Sequence, residues 1–374
     1  MIRTNTALWI VVAVAICSPT GFGQSAALPG RDAADQTPRG EPRTRPQPPA
    51  KPELPEAQTP RSTSEHLTLK LQRGGRIAVK NRSGRTTING WDGDTVEATA
   101  HGEPIEYQTD TETSHLRISI SVPARGRGEV DLEIRVPRYA EIESADTRRG
   151  DVQISGVNGA ISISVANGNV MLNRIGAAKL KLQNGDLIAN DIGASIEARV
   201  FNGDTVVENA AGVVWVAAAN GDIKVTNAEG GVEANSASGD IVVQCAKKRV
   251  HASATNGDVF LAGVAGDAEA TTASGDVMFS GAIQAGGRYV LKSISGDVAM
   301  AIQGEPPGFT ATLTTYNGEV ETEFALKNDG PIGAERLRQR VTGRYGDGQA
   351  QILLDSFSGS ARILKARGTA GTCK

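Results

Sequence analysis

Apolar and polar residues alternate with a period of two along most of this chain. Residues 67–100 read "LTLKLQRGGRIAVKNRSGRTTINGWDGDTVEATA", with Gly-rich breaks between the alternating runs. "HLRISISV" and "DLEIRVP" continue the pattern. Period-two alternation bounded by turn residues predicts half-buried strands. From about Ser64 onward no stretch has a convincing helical period.

From residue 150 the alternation is organised by a repeat. A turn signal of the form Asn/Ser-Gly-Asp/Asn recurs at Gly150, Gly168, Gly185, Gly203, Gly221, Gly239, Gly257, Gly275, Gly296 and Gly318. The spacings are 18, 17, 18, 18, 18, 18, 18, 21 and 22, and a last Ser-Gly stands at Gly359. Two and four residues after each Gly come apolar pairs such as Val170/Leu172, Ile223/Val225 and Val259/Leu261. Seven, five and three residues before the next Gly comes a second set, such as Ile161/Ile163/Val165 and Val214/Val216/Ala218. Each period therefore holds two short strands, and no period can bury its own apolar face. Such units stack. The predicted fold is all-β, a β-solenoid (β-helix) with about 18 residues per coil and two main sheets. Right-handed winding is the default for parallel crossovers. Small inward residues such as Ala234 and Ser236 imply a narrow interior. Ten to twelve coils at ~4.8 Å would make a rod on the order of 50–60 Å long.

Open solenoid ends expose unpaired backbone and need covering. Residues 65–145 are the expected N-terminal β cap, 146–325 the regular coils, and 326–374 an irregular arm, a last coil and a tail. The arm is placed at 320–350, before the last coil.

Stacking puts equivalent residues in columns. Asp186, Asp204, Asp222, Asp240, Asp258, Asp276 and Asp297 form one, with Asn169 replacing Asp in one rung. Asn-Gly supplies the positive φ of a tight turn, and Asn, Ser and Asp side chains bond nearby backbone, so the column reads first as turn chemistry. Stacked Asn also form ladders. The alternative is a weak calcium site at Asp204, Asp222, Asp240, Asp258 and Asp276. Calcium takes six to eight oxygens, and each turn offers one carboxylate. Arg149-Gly150-Asp151 spells a cell-attachment tripeptide, but at a turn where Gly-Asp is required anyway.

A second column does not fit a solvated face. Three residues after each repeat Gly stand Met171, Ile188, Val206, Lys224, Val242, Phe260 and Met278, all at outward places. A strand apolar on both sides should be covered on both. Either the cap or the 320–350 arm covers this stripe, the first expectation, or a partner or second copy packs on it. Met171, Ile188, Val206, Val242, Phe260 and Met278 are thus the candidate binding residues.

Composition narrows the classes. The chain has 374 residues, 44 Gly, 4% aromatics and a formal net charge of −3. That balance gives no electrostatic argument for nucleic acid. The start, "MIRTNTALWIVVAVAICSPTGFGQ", has a cationic Arg3 and an apolar run too short to span a bilayer. It reads as a signal peptide over 1–23, so no stable membrane insertion is expected after cleavage. Ile16 before Cys17 is too bulky for the usual lipidation site. Residues 24–64 carry nine prolines and read as a disordered spacer. An exported chain permits a disulfide, but Cys373 lies in a loose tail, which favours two unpaired thiols over a Cys245–Cys373 bridge. His66, His101, His115 and His251 are scattered, and no nucleophile elbow, phosphate loop or His/Cys metal spacing occurs. The expectation is no enzyme and no cofactor. A carbohydrate-active β-helix, a lyase or hydrolase, is the enzymatic alternative; it would require clustered carboxylates, or an Arg/Lys beside Asp, on a grooved face. The charged patch Lys179/Lys181 beside Glu197/Arg199 reads first as a solvated sheet face and outward Trp215 as incidental, with stacking on a sugar ring the alternative.

"GGRIAVKNRSGRTTINGWDGDTVEATA", "LEIRVPRYAEIESADTRRGDVQI", the Asn/Ser-Gly-Asp ladder and "LDSFSGSARI" together resemble the putative-adhesin family of bacterial envelope proteins, a domain-of-unknown-function family with β-strand repeats. The likeness covers residues 70–365. It implies a β-solenoid at or outside the cytoplasmic membrane that binds or scaffolds, with a link to envelope-stress sensing in some relatives. An envelope protein or surface glycan is the implied partner, and self-association is possible. The family supplies no catalytic residues, and this chain departs from it in pairing a cleavable signal with a long Pro-rich spacer.

Overall fold

The computed structural model describes residues 62–64, 66–101, 105–112, 115–121, 129–328, 339–366 and 373. The expected signal peptide, Cys17 and nearly all of the Pro-rich spacer lie outside them.

The described residues form strands and turns without a helix, in two sheets of 15 and 17 strands. The 15-stranded front sheet holds the strand that follows each turn glycine, such as Val170–Ile175, Leu187–Ile192 and Thr205–Ala210. The 17-stranded back sheet holds the strand before it, such as Ile161–Asn167, Ala178–Asn184 and Ile196–Asn202. Successive coils pair in parallel and in register: Val170 with Leu187 and Thr205 in front, Ile161 with Ala178 and Ile196 behind. The predicted β-solenoid is the fold. Alternation puts Val, Ile, Leu and Ala inward from both sheets in one continuous core. The interior is narrow, as the small residues imply. Where the back sheet offers only Ala268 and Ala270, Phe279 and Tyr289 fill the space edge to face at 5.2 Å.

The turn repeat has a steric cause. Gly239 has φ +137°, and a Cβ there would stand 2.2 Å from the carbonyl oxygen of Gly221 in the coil beneath. Only glycine admits both the conformation and the close stacking. Inward hydroxyls on the back strands then satisfy the stacked turn: Thr272 Oγ1 donates to the Gly257 carbonyl at 2.9 Å and Ser293 Oγ to Gly275 at 2.8 Å.

Each coil also bends at its other corner, where residues six after the turn glycine take φ between 51° and 59°: Arg174, Asp191, Asn209, Asn227 and Cys245. Asn209 Nδ2 donates to Asp191 Oδ1 at 3.0 Å and Asn227 Nδ2 to Asn209 Oδ1 at 3.1 Å, so side-chain ladders run along this corner too.

Both ends are interleaved rather than simply stacked. The pair Arg76–Ser83 and Thr86–Trp91, inside the expected cap, forms a regular rung. Arg76–Ser83 lies between Glu141–Arg149 and His115–Ser121, and Thr86–Trp91 between Val152–Ser155 and Leu132–Pro137. Antiparallel Ile105–Glu112 and Thr95–Ala100 follow, and Ser62–Ser64 and His66–Lys70 pair antiparallel on them at that end. At the other end Ala350–Ser358 inserts between Arg288–Ser295 and Gly308–Asn317, and Ala361–Lys365 between Val298–Ile302 and Val320–Thr322. The last coil in sequence is therefore not the last in space. Antiparallel Gln339–Gly346 covers the edge of Gly308–Asn317 in the back sheet.

The expectation of two free thiols is corrected: Cys245 and Cys373 are disulfide-bonded, with Cα atoms 5.2 Å apart. Ala366 N–H donates to the Ile302 carbonyl, which leaves the tail beside the corner column of Cys245. Four rungs separate the two places, about 19 Å, and the residues from 366 to 373 reach roughly 23 Å when extended. Gly263, one rung on from Cys245, lacks the side chain that would block the bridge: its Cβ would lie 2.4 Å from Cys373 Sγ.

Candidate functional site

The six candidate binding residues stand in one line on the outward face of the front sheet. Hydrogen-bonded register pairs Met171 with Ile188, Ile188 with Val206, Val206 with Lys224, Lys224 with Val242, Val242 with Phe260 and Phe260 with Met278. The column is rigid because the ladder on either side of each residue holds it. Met171, Ile188 and Met278 are 46%, 38% and 45% exposed, while Val206, Val242 and Phe260 are half-buried. Lys224 interrupts it with an exposed cation. The next outward column, Asn173, Asn190, Glu208, Thr226 and Gln244, is polar, so the apolar strip has a polar border.

Internal cover of this column was the first expectation, and the described part of the arm does not supply it. Gln339–Gly346 and Lys327–Asn328 pair into the back sheet, away from the strip. Residues 329–338 of that arm are outside the described set.

The Asp column is a hydrogen-bond ladder. Asp222 Oδ1 accepts the backbone N–H of Asp240 at 2.8 Å, Asp240 that of Asp258 at 2.8 Å, and Asp258 that of Asp276 at 2.7 Å. Asp204 and Asp276 do the same for Asp222 and Asp297. Asn169 takes the Asp role with its own Oδ1 toward Asp186 N–H at 2.9 Å. Asp151 of the Arg-Gly-Asp tripeptide is one more rung, accepting from Asn169 N–H. Asn167, Asn184, Asn202 and Asn220 form the adjoining amide ladder. Among the described residues no group of three or more His, Cys, Asp or Glu is placed to hold a metal ion.

The charged patch singled out for sugar chemistry is an ion-pair cluster. Glu197 bonds Lys179 at 3.0 Å and also Arg199, and Arg199 lies 4.6 Å over the Trp215 ring. Lys179 and then Arg199 hold the Glu197 carboxyl below its usual range, the opposite of what a general acid needs.

Two features were not singled out from the sequence. Ile294, Phe357 and Tyr316 form an exposed apolar cluster at the C-terminal end of the back sheet, with the Phe357 and Tyr316 rings 5.0 Å apart. They adjoin only because Ala350–Ser358 inserts between two earlier strands. The left-handed corner column was legible as Asn209 and Asn227 at an 18-residue spacing, six after the turn glycine.

The Toastrack DUF4097 family model matches residues 64–260 and 244–363. No curated protein matches the sequence. Among solved structures, a putative adhesin from Bacteroides fragilis is 14% identical with a TM-score of 0.27, covering 59% of this chain and 96% of its own. A putative cell adhesion protein from Clostridium sporogenes is 9% identical with a TM-score of 0.16, covering 80% and 99%. A putative lipid binding protein from Parabacteroides distasonis is 11% identical with a TM-score of 0.26, covering 80% and 96%. Superpositions this loose transfer neither geometry nor ligand to this chain.

Proposed function

This chain belongs to the Toastrack DUF4097 family, and from that premise we propose that it is an exported, non-enzymatic binding module or scaffold of the cell envelope. The observation that carries this reading is the register-locked apolar strip from Met171 to Met278, left uncovered by the described chain. A solenoid of stacked coils offers extended faces along which a partner can dock. An apolar strip with a polar border on such a face fits a protein partner or a second copy. The signal-like start and the Pro-rich spacer fit export and a stalk that holds the solenoid away from its point of origin. The ion-paired state of Glu197 weighs against the carbohydrate-active alternative.

The test is cross-linking of the mature chain in its native cell, with wild type beside a Phe260→Glu/Met278→Glu variant. One specific protein joined near these residues, and lost in the folded variant, supports the reading. Unchanged cross-links in a folded variant would remove the strip as an interface. Reducing-sugar release from envelope polysaccharides, abolished by one carboxylate substitution, would replace the scaffold with an enzyme.

A further inference from the structure

The back sheet carries a second surface, separate from the apolar strip. Toward the N-terminal end of its outward face lies an open groove of about 850 Å³. Lys80, Arg82, Arg148 and Lys181 line it, with Asp146 as the one carboxylate among the described residues. Lys80 and Arg82 come from Arg76–Ser83, Asp146 and Arg148 from Glu141–Arg149, and Lys181 from Ala178–Asn184. Register pairs Lys80 with Asp146, Asp146 with Ser164, and Ser164 with Lys181. These residues therefore follow one line across the strands, and three rungs separate Lys80 from Lys181, about 14 Å.

Many other surface cations are ion-paired. Lys179 and Arg199 pair with Glu197, Arg249 with Glu269 and Arg117 with Glu143 on or beside the back sheet, and Lys247 with Glu229 at a coil corner. The four groove cations make no ion pair among the described residues, and neither does Asp146. Four like charges beside one acid repel one another in the free protein, and an anion entering the groove relieves that repulsion. Lys80 and Lys181 end one register line, and Arg82 and Arg148 lie two residues along on the same strands, so four cations spread over about 14 Å match repeated charges on an extended ligand better than one small anion. Ser164 and Gln183 add neutral hydrogen-bonding groups for hydroxyl-rich material. Among the described residues no aromatic ring lines the groove, so they offer no stacking platform of the kind that single-stranded nucleic acid uses.

We propose that this groove binds a linear anionic polysaccharide, whose carboxylate or sulfate groups meet Lys80, Arg82, Arg148 and Lys181. The test uses the full mature chain at about 50 mM salt, low enough for exposed charges to act. Polygalacturonate and dextran sulfate are the probes, and neutral dextran the control. Wild type should bind at least one polyanion, weaken as salt rises, and ignore neutral dextran. Lys80→Gln/Arg148→Gln should bind about tenfold more weakly or worse, the effect of removing one charge-assisted hydrogen bond. Lys248→Gln/Lys292→Gln, elsewhere on the surface, should bind as wild type does. Melting temperatures check that each variant folds, and Lys181→Gln serves if the double variant does not. Undiminished binding by the folded groove variants would overturn the proposal. So would equal binding of neutral dextran, or capture by anionic phospholipid vesicles with none by the soluble polyanions.

Discussion

At the scale of single residues, the repeated Asp works as a backbone acceptor. Asp222 Oδ1 holds the Asp240 N–H, and Asn169 does the same work without a charge. Asp222→Asn should therefore cost little, while Asp222→Ala should destabilise by about 1–2 kcal/mol, the cost of an unmet backbone donor. Denaturant titration of both variants checks this. An equal loss in both would mean that the charge matters, as a bound cation would require. EDTA and millimolar calcium should leave the wild-type melting temperature unmoved.

The same scale holds a pH dependence. Lys247 holds Glu229 below the usual carboxylate range, and Lys179 and Arg199 hold Glu197 there. A depressed folded-state pKa contributes stability above the unfolded value of about 4.3, and that contribution fades as pH falls through the folded value. Glu229 is exposed and Glu197 half-buried at the surface, so salt should weaken the effect. Carbon-detected NMR titration should find the midpoints of Glu197 and Glu229 below that of a free glutamate, and Lys247→Ala should return Glu229 toward it.

At the scale of elements, the disulfide joins a corner to a tail 128 residues later. Cross-linking so distant a pair restricts the unfolded chain, an effect of about 2–4 kcal/mol. Cys373→Ser should lose stability of that order. Cys245→Asn in the same chain should add little further loss, because Asn209 and Asn227 show that this corner conformation suits Asn. Thermal melts with and without reductant check both: reductant should lower the wild-type midpoint and leave the variants unchanged.

At the scale of the whole solenoid, each coil meets only its neighbours, so damage should stay local. Deleting residues 350–374 removes the rung that lies between Arg288–Ser295 and Gly308–Asn317. Limited proteolysis of the truncated chain should cut beyond about residue 288 and spare the coils from 150 to 281. Uniform digestion would mean that the inserted rung stabilises the entire stack. The interleaved ends and antiparallel closing strands leave the side faces as the surfaces for association.

Local and periodic features can be read from the residue order alone. Turn glycines 18 apart, period-two strands and the Asp and Asn columns were legible because each is set by neighbours along the chain and repeated at a fixed offset. The apolar column from Met171 to Met278 was legible for the same reason. Features that depend on distant partners emerge with the folded chain. Ala350–Ser358 inserts one rung inside Gly308–Asn317, so rung order departs from chain order and brings Ile294 beside Phe357. Cys373 reaches Cys245 although its tail carries no periodic signal. The groove joins Lys80 to Lys181 because Arg76–Ser83 is placed beside Glu141–Arg149, and no local pattern encodes that adjacency. Inter-rung hydrogen bonds are alike from coil to coil, so the repeat itself does not rank one rung order above another; side-chain fit at the interleaved ends does.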